Sequence, residues 1–222
     1  MKEGILIIDK PSGITSHDVV TFVRRKLNIK RVGHAGTLDP LATGVLVVLV
    51  GQATKLFNQF VSFDKAYLAT LKLGTTTTTA DIEGKLIAEQ SCQHINPEQI
   101  EKAFSQFVGV LDQLPPMVSA VKVKGQRLYK LARSGIQVQR EPRRVRVDRL
   151  EIQEVVLPYV KFYLECSKGT YVRTLAEDIG ETLGCGACIS QIQRTRVGPF
   201  FIHEAISLEE FDEGYIRPWP KA

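Results

Sequence analysis

The chain has 222 residues, 44% hydrophobic and 24% charged, with a formal net charge of +5. That length admits one large domain or two small ones, and the composition is that of a globular protein, not a disordered or collagenous one. No apolar run approaches a membrane span, Asp9 and Lys10 interrupt the opening too soon for a signal peptide, and four cysteines are too few for a disulfide scaffold; a cytoplasmic protein with reduced thiols is expected.

In chain order, the isoleucine-rich Gly4–Asp9 reads as a buried strand ended by Lys10-Pro11-Ser12-Gly13. Thr15 or Ser16 caps a helix over Asp18–Leu27, with Val19, Phe22, Val23 and Leu27 at helical spacing. A glycine-rich loop within Arg31–Leu46 leads into a strand at Val45–Val50, and Lys55–Val61 predicts a short helix. Lys65–Leu73 alternates as a strand carrying Tyr67. Thr75–Thr79, five threonines in a row, reads either as a low-complexity linker or as a β-rich loop. Asn96 and Pro97 open a helix running to Val108, and Gln113-Leu114-Pro115-Pro116 follows as a breaker. A helical stretch around Leu128–Ala132 closes at Gly135, strands are predicted at Val145–Ile152 and Val160–Cys166, and Tyr171–Thr182 reads as a helix. Helices and strands without strict βαβ alternation argue for α+β with a largely antiparallel sheet.

The charge is unevenly placed. Ten Lys and Arg residues between Lys122 and Arg149 face only Glu141 and Asp148, so this segment carries +8 and the remainder −3. A solvated face explains many charge runs; set against an acidic remainder, this one has the footprint of a polyphosphate partner.

Within Arg31–Leu46 a single carboxylate, Asp39, stands before Pro40 among Gly33, Gly36 and Gly44. Asp before Pro commonly only nucleates a turn, yet a rigid loop seated on a buried strand is also how a scaffold presents a reactive group. Cys185 and Cys188 form one CxxC pair where a zinc site needs two, so no metal is expected.

Two stretches carry a family resemblance. Gly33–Gly44 (GHAGTLDPLATG) resembles the catalytic motif of the bacterial tRNA pseudouridine-55 synthases, the TruB-type branch of the pseudouridine synthases. Cys166–Arg173 (CSKGTYVR) is similar to that family's Lys-Gly-Thr-Tyr-Ile/Val-Arg motif. The resemblance implies that Asp39 is the essential nucleophile and that Arg173 pairs with it, keeping the carboxylate ionised and aimed. It implies that Tyr67 stacks on the extruded uracil and offers its phenol as acid or base, that Tyr171 lines the pocket, and that Ile192 lies against the base. His34 is then the wedge that fills the gap left by the departed nucleotide.

The same resemblance implies the pseudouridine synthase fold: α+β, with a long mixed, mainly antiparallel sheet flanked by helices and a central active-site cleft. One catalytic domain over residues 1–222 is expected, with a basic RNA-clamping insertion at about 115–145 and no C-terminal RNA-binding (PUA-type) domain before Ala222. The implied activity is isomerisation of uridine 55 in the TΨC arm of tRNA by base flipping, without cofactor or metal; the oligomeric state is left open, nothing in the sequence forces a dimer, and a monomer is the expectation. One departure stands out: Thr78 occupies a position where the family usually has aspartate.

Overall fold

The computed structural model describes residues 3–119, 121–123, 125–136 and 138–219; of the basic segment, Lys124 lies outside the described residues. In chain order the elements are β1 (Gly4–Lys10), α1 (Ser16–Leu27), β2 (Val32–Ala35), β3 (Thr43–Val50), α2 (Phe57–Val61), β4 (Lys65–Leu73), β5 (Thr75–Thr77) and β6 (Leu86–Glu89). There follow α3 (Pro97–Ser105), β7 (Gly109–Gln113), β8 (Lys122–Val123), β9 (Gln126–Arg127), α4 (Leu128–Arg133), β10 (Arg143–Val156), β11 (Tyr159–Cys166), α5 (Val172–Thr182), β12 (Ala187–Val197) and β13 (Phe200–Phe201). They form an α+β architecture whose sheet is mixed and mostly antiparallel, flanked by helices, as the sequence implied.

The chain divides into two units, one of residues 1–67 with 192–222, the other of residues 68–191. In the first, β3 is the organising strand. β1 runs antiparallel along one edge, with Ile7 opposite Val47, while β2 and the end of β12 share the other edge. The β12 pairing is parallel and places Arg194 opposite Gly44. Leu6, Ile8, Leu46 and Val48 pack with Val19, Val20, Val23 and Leu27 of α1. Ile5, Ile7, Val45 and Val47 pack on the other side with Phe60 and Phe200. Strands covered on both faces have no polar face to alternate, which is why β1 and β3 read as unbroken apolar runs. The start of α1 is set by a capping box: the Thr15 hydroxyl accepts from the Asp18 amide and the Asp18 carboxylate accepts from the Thr15 amide. Such a cap contributes about 1 kcal/mol.

In the second unit the strand order is β12–β4–β11–β10–β7. Leu150 of β10 lies opposite Leu164 of β11, and Val145 opposite Leu111 of β7. Asn96 caps α3 in a capping box with Gln99, and Phe104 meets Phe162 edge-on with ring centres 5.5 Å apart. α3 ends at Ser105, short of the predicted Val108, and after a short turn Gly109, at φ +108°, opens β7. β7 went unrecognised from the sequence: its exposed and buried residues alternate over only five positions, too few to register as a pattern. The predicted helix at Lys55–Val61 is a 3-10 turn over Gly51–Leu56 followed by the five-residue α2. Among the described residues no helix is long and apolar enough to cross a membrane.

Candidate active site

The Asp39 loop joins β2 to β3, and its main chain is held along its whole length. An unpaired backbone carbonyl away from water is costly, so the partners of these groups show what fixes the loop. The oxygens of Gly36 and Thr37 accept from Arg194 at 3.0 and 3.4 Å. The Leu38 oxygen accepts from the Ser16 hydroxyl at 3.0 Å, and the Leu38 amide donates back to the same hydroxyl at 2.8 Å. The Asp39 oxygen accepts from the Ala42 amide, closing the turn that Pro40 presets. The Pro40 oxygen accepts from the Gly13 amide and from Lys10 Nζ, and the Leu41 oxygen accepts from the Ser12 hydroxyl. Six consecutive carbonyls thus have named partners, and Asp39 stands half-buried on a braced loop.

The Lys10-Pro11-Ser12-Gly13 turn, without an assigned role in the sequence, therefore has one: it cradles Asp39-Pro40-Leu41. Lys10 is fully buried, and its ammonium also donates to the Pro11 and Ile14 oxygens at 2.7 and 2.8 Å. Ser16, the first residue of α1, is 1% exposed and ties the helix to the loop through Leu38.

Arg194 was not foreseen. It is the largest fully buried side chain of the described residues, at 1% exposure. Besides Gly36 and Thr37, it donates from Nε to the Val45 oxygen at 2.8 Å. Burial pushes the guanidinium below its ordinary pKa, while the Tyr67 phenol, a hydrogen-bond partner, and the nearby Asp39 carboxylate draw it back up. Two predicted site residues, Asp39 and Tyr67, are thereby gathered around one buried cation. Gly44 makes this possible: at φ +98°, a Cβ there would lie 2.3 Å from the Arg194 oxygen, so only glycine lets β12 approach. The available signal was weak, because in Gln191–Val197 both alternating sets are polar and neither face declares itself.

The other predicted residues of this unit lie on its strands. Tyr67, on β4, is 8% exposed. Ile192 is half-buried and packs against the apolar cluster that includes Leu38 and Ala42. His34, on β2, is half-buried and opposite Val48.

Arg173 and Tyr171 belong to the second unit. Arg173 is 5% exposed on the first turn of α5; it donates to the Thr79 oxygen at 2.7 Å and the Val118 oxygen at 2.9 Å, and stands 3.7 Å from the buried Asp81 carboxylate. Asp81 is held in turn by the Thr79 hydroxyl and the Glu83 amide. Tyr171 precedes α5, and its backbone is clamped by the buried Gln113 side chain, which accepts from its amide and donates to its oxygen. Thr78, the departure from the family pattern, accepts from the Lys85 amide through its hydroxyl, so the β5–β6 turn is closed without the usual aspartate.

The exposed arginines of β10 are partly matched by acids: Arg144 with Asp112 at 3.7 Å, Arg146 with Asp148 at 2.6 Å, and Arg149 with Glu151 at 2.5 Å. All four cysteines are buried, and among the described residues no cluster of three or more His, Cys, Asp or Glu side chains is placed to hold a metal ion.

A braced loop presents one carboxylate beside a buried arginine and a tyrosine, and the fold around it has solved relatives. The structure of a Cbf5–Nop10–Gar1 complex superposes with a TM-score of 0.74 at 32% identity, covering 94% of this chain and 53% of that one. An H/ACA RNP bound to a substrate RNA containing 2'-deoxyuridine gives 0.70 at 28% identity, covering 94% and 52%. The chain spans about half the length of those proteins and has the pseudouridine synthase fold. Residues 24–172 match the TruB family pseudouridylate synthase N-terminal domain, and residues 173–218 match the tRNA pseudouridylate synthase B C-terminal domain. The tRNA pseudouridine synthase B of Syntrophotalea carbinolica is 49% identical over 209 residues, 94% of this chain and 68% of that protein. That of Symbiobacterium thermophilum is 48% identical over 223 residues, 99% and 75%. The chain belongs to the TruB family of pseudouridylate synthases.

Proposed function

We propose that this chain converts uridine 55 in the TΨC loop of tRNA to pseudouridine, with Asp39 as the nucleophile. The observation that carries the reading is the loop Gly36–Ala42, whose braced backbone sets the Asp39 carboxylate beside Arg194 and Tyr67 in a chain nearly half identical to enzymes of that name. The target uridine leaves the stack, and His34 fills its place. Attack by Asp39 assists cleavage of the N1–C1′ bond; the uracil turns, C5 bonds to C1′, and the bond to Asp39 breaks to return the free carboxylate. C5 then loses its proton to solvent and N1 gains one, so the net change is an isomerisation with no electron acceptor. Tyr67 stacks on the uracil, and Ile192 and Tyr171 are assigned to its apolar surround. Arg173 is assigned as the arginine of the catalytic set; the support is its motif and its burial as a charged group. The exposed arginines of β10 grip phosphates and carry no base information.

Tritium release from C5-labelled uridine in an unmodified tRNA transcript tests this, with wild type beside Asp39→Ala. Release that vanishes in the variant, with tRNA still bound, is the expected result. Release retained by the variant would remove Asp39 from the chemistry.

A further inference from the structure

We infer that Arg194 is a positioning residue for the Asp39 chemistry, a single buried cation that aims the loop and holds negative charge on Asp39 and on the Tyr67 oxygen. The inference rests on the proposed activity and adds a residue to it. A guanidinium has five N–H donors in a rigid planar fork. Here Nε, Nη1 and Nη2 reach Val45, Thr37 and Gly36, which bracket Asp39 on both sides in sequence. The same group is hydrogen-bonded to Tyr67 and lies within electrostatic reach of Asp39. One rigid plane therefore fixes the two ends of the loop and the phenol together.

Charge is the second part of the argument. Tying carbonyls together needs only donors, which a neutral amide supplies without the heavy desolvation of a buried ion. A full charge kept at 1% exposure is matched to groups beside it that carry or can take up negative charge, and the half-buried Asp39 carboxylate and the Tyr67 phenol are two such groups. A lysine supplies the charge without the fork, and a methionine supplies neither.

The test compares wild type, Arg194→Met and Arg194→Lys in the full chain, with folding followed by circular dichroism. Arg194→Met is expected to slow single-turnover pseudouridine formation by about 10²-fold or more with tRNA affinity within about threefold, and Arg194→Lys to recover part of the loss. Removing the cation disfavours the ionised forms, so the acid limb of the rate profile moves to higher pH in Arg194→Met. The substrate-free readout is phenolate absorbance, with Tyr67→Phe subtracted to isolate Tyr67; its midpoint also moves to higher pH in Arg194→Met. An unchanged rate, or a slowed rate with both titrations unmoved, overturns the inference. Should Arg194→Met fail to fold, Arg194→Lys decides: a rate lowered at least about tenfold with binding intact supports it, and a wild-type rate overturns it. If wild type itself forms no pseudouridine, the proposed activity falls, and the phenolate titration alone decides the role of Arg194.

Discussion

Among the described residues each unit buries one arginine, and the two are held differently. Arg194, in the first, is spread over the main-chain oxygens of Gly36, Thr37 and Val45, with Tyr67 and Asp39 beside it. Arg173, in the second, holds the oxygens of Thr79 and Val118 and faces Asp81, a carboxylate as buried as itself. Taking a charge out of water costs several kcal/mol, offset only by well-placed partners. Around Arg194 the partners are mostly carbonyls of the loop that carries Asp39 and of the strand after it. Around Arg173 they include an ion-pair partner that ties the turn after β5 to α5. The same side chain thus gathers the main chain of one loop in the first unit and joins an irregular turn to a helix in the second.

Substitutions at the acids facing the two arginines separate these roles. The largest effect on function is expected from Asp39→Asn: turnover falls by at least about 10³-fold, while the melting temperature stays within about 2 °C, read by tritium release and calorimetry. Turnover within tenfold of wild type would leave the first arginine without a chemical purpose. For stability the largest effect is expected from Gly44→Ala, which forces a Cβ into the Arg194 backbone at an unfavourable φ. A loss of about 4 kcal/mol in urea denaturation is anticipated, and a loss below about 1 kcal/mol would mean that the β3–β12 approach is not tight. Asp81→Ala removes the buried carboxylate 3.7 Å from the Arg173 guanidinium; about 3 kcal/mol and a fall of roughly 6–12 °C in melting temperature should follow. An unchanged melting temperature would erase the distinction between the two arginines.

The exposed arginines of the second unit sharpen the contrast, since they are solvated instead of buried. Replacing Arg143, Arg144 and Arg146 with glutamine should lower the salt slope of tRNA binding by about 1 to 2, because Asp112 and Asp148 already partly match two of them. An unaltered slope would assign the RNA grip elsewhere. The smallest effect is on pH dependence. Burial raises the Asp9 carboxyl in the first unit, and the Glu177 and Asp178 carboxyls in the second, above their ordinary values of 3.8, 4.5 and 3.8. Each binds its proton more tightly folded than unfolded, so their joint contribution to stability declines as pH rises from about 4 through the folded values. The combined Asp9→Asn, Glu177→Gln and Asp178→Asn variant should show a shallower decline; a steeper one would reverse the sign of the argument.

Several of these features were legible in the sequence. Thr15 and Asn96 marked the starts of α1 and α3 because a cap is decided within four residues. The apolar runs of β1 and β3 announced strands buried on both faces, and the motifs around Asp39 and Arg173 announced a family. In sequence Lys10 belongs to a turn and Ser16 to a cap, and their second task, bracing Pro40 and Leu38, depends on residues more than twenty positions away. β12 showed no pattern at all, because Gln191, Gln193 and Thr195 alternate with Ile192, Arg194 and Arg196 and neither set is apolar.

By itself the sequence determined the elements that local forces decide: caps, turns and the apolar strands, with Asp39 marked out by its motif. Only the tertiary structure decided which arginines are buried and against what. A guanidinium can be buried where enough carbonyls converge on it, and for Arg194 those carbonyls come from a strand and loop 149 to 158 residues earlier in the chain. No local pattern encodes that convergence; it exists only once β12 has paired with β3 at the glycine that lets it approach.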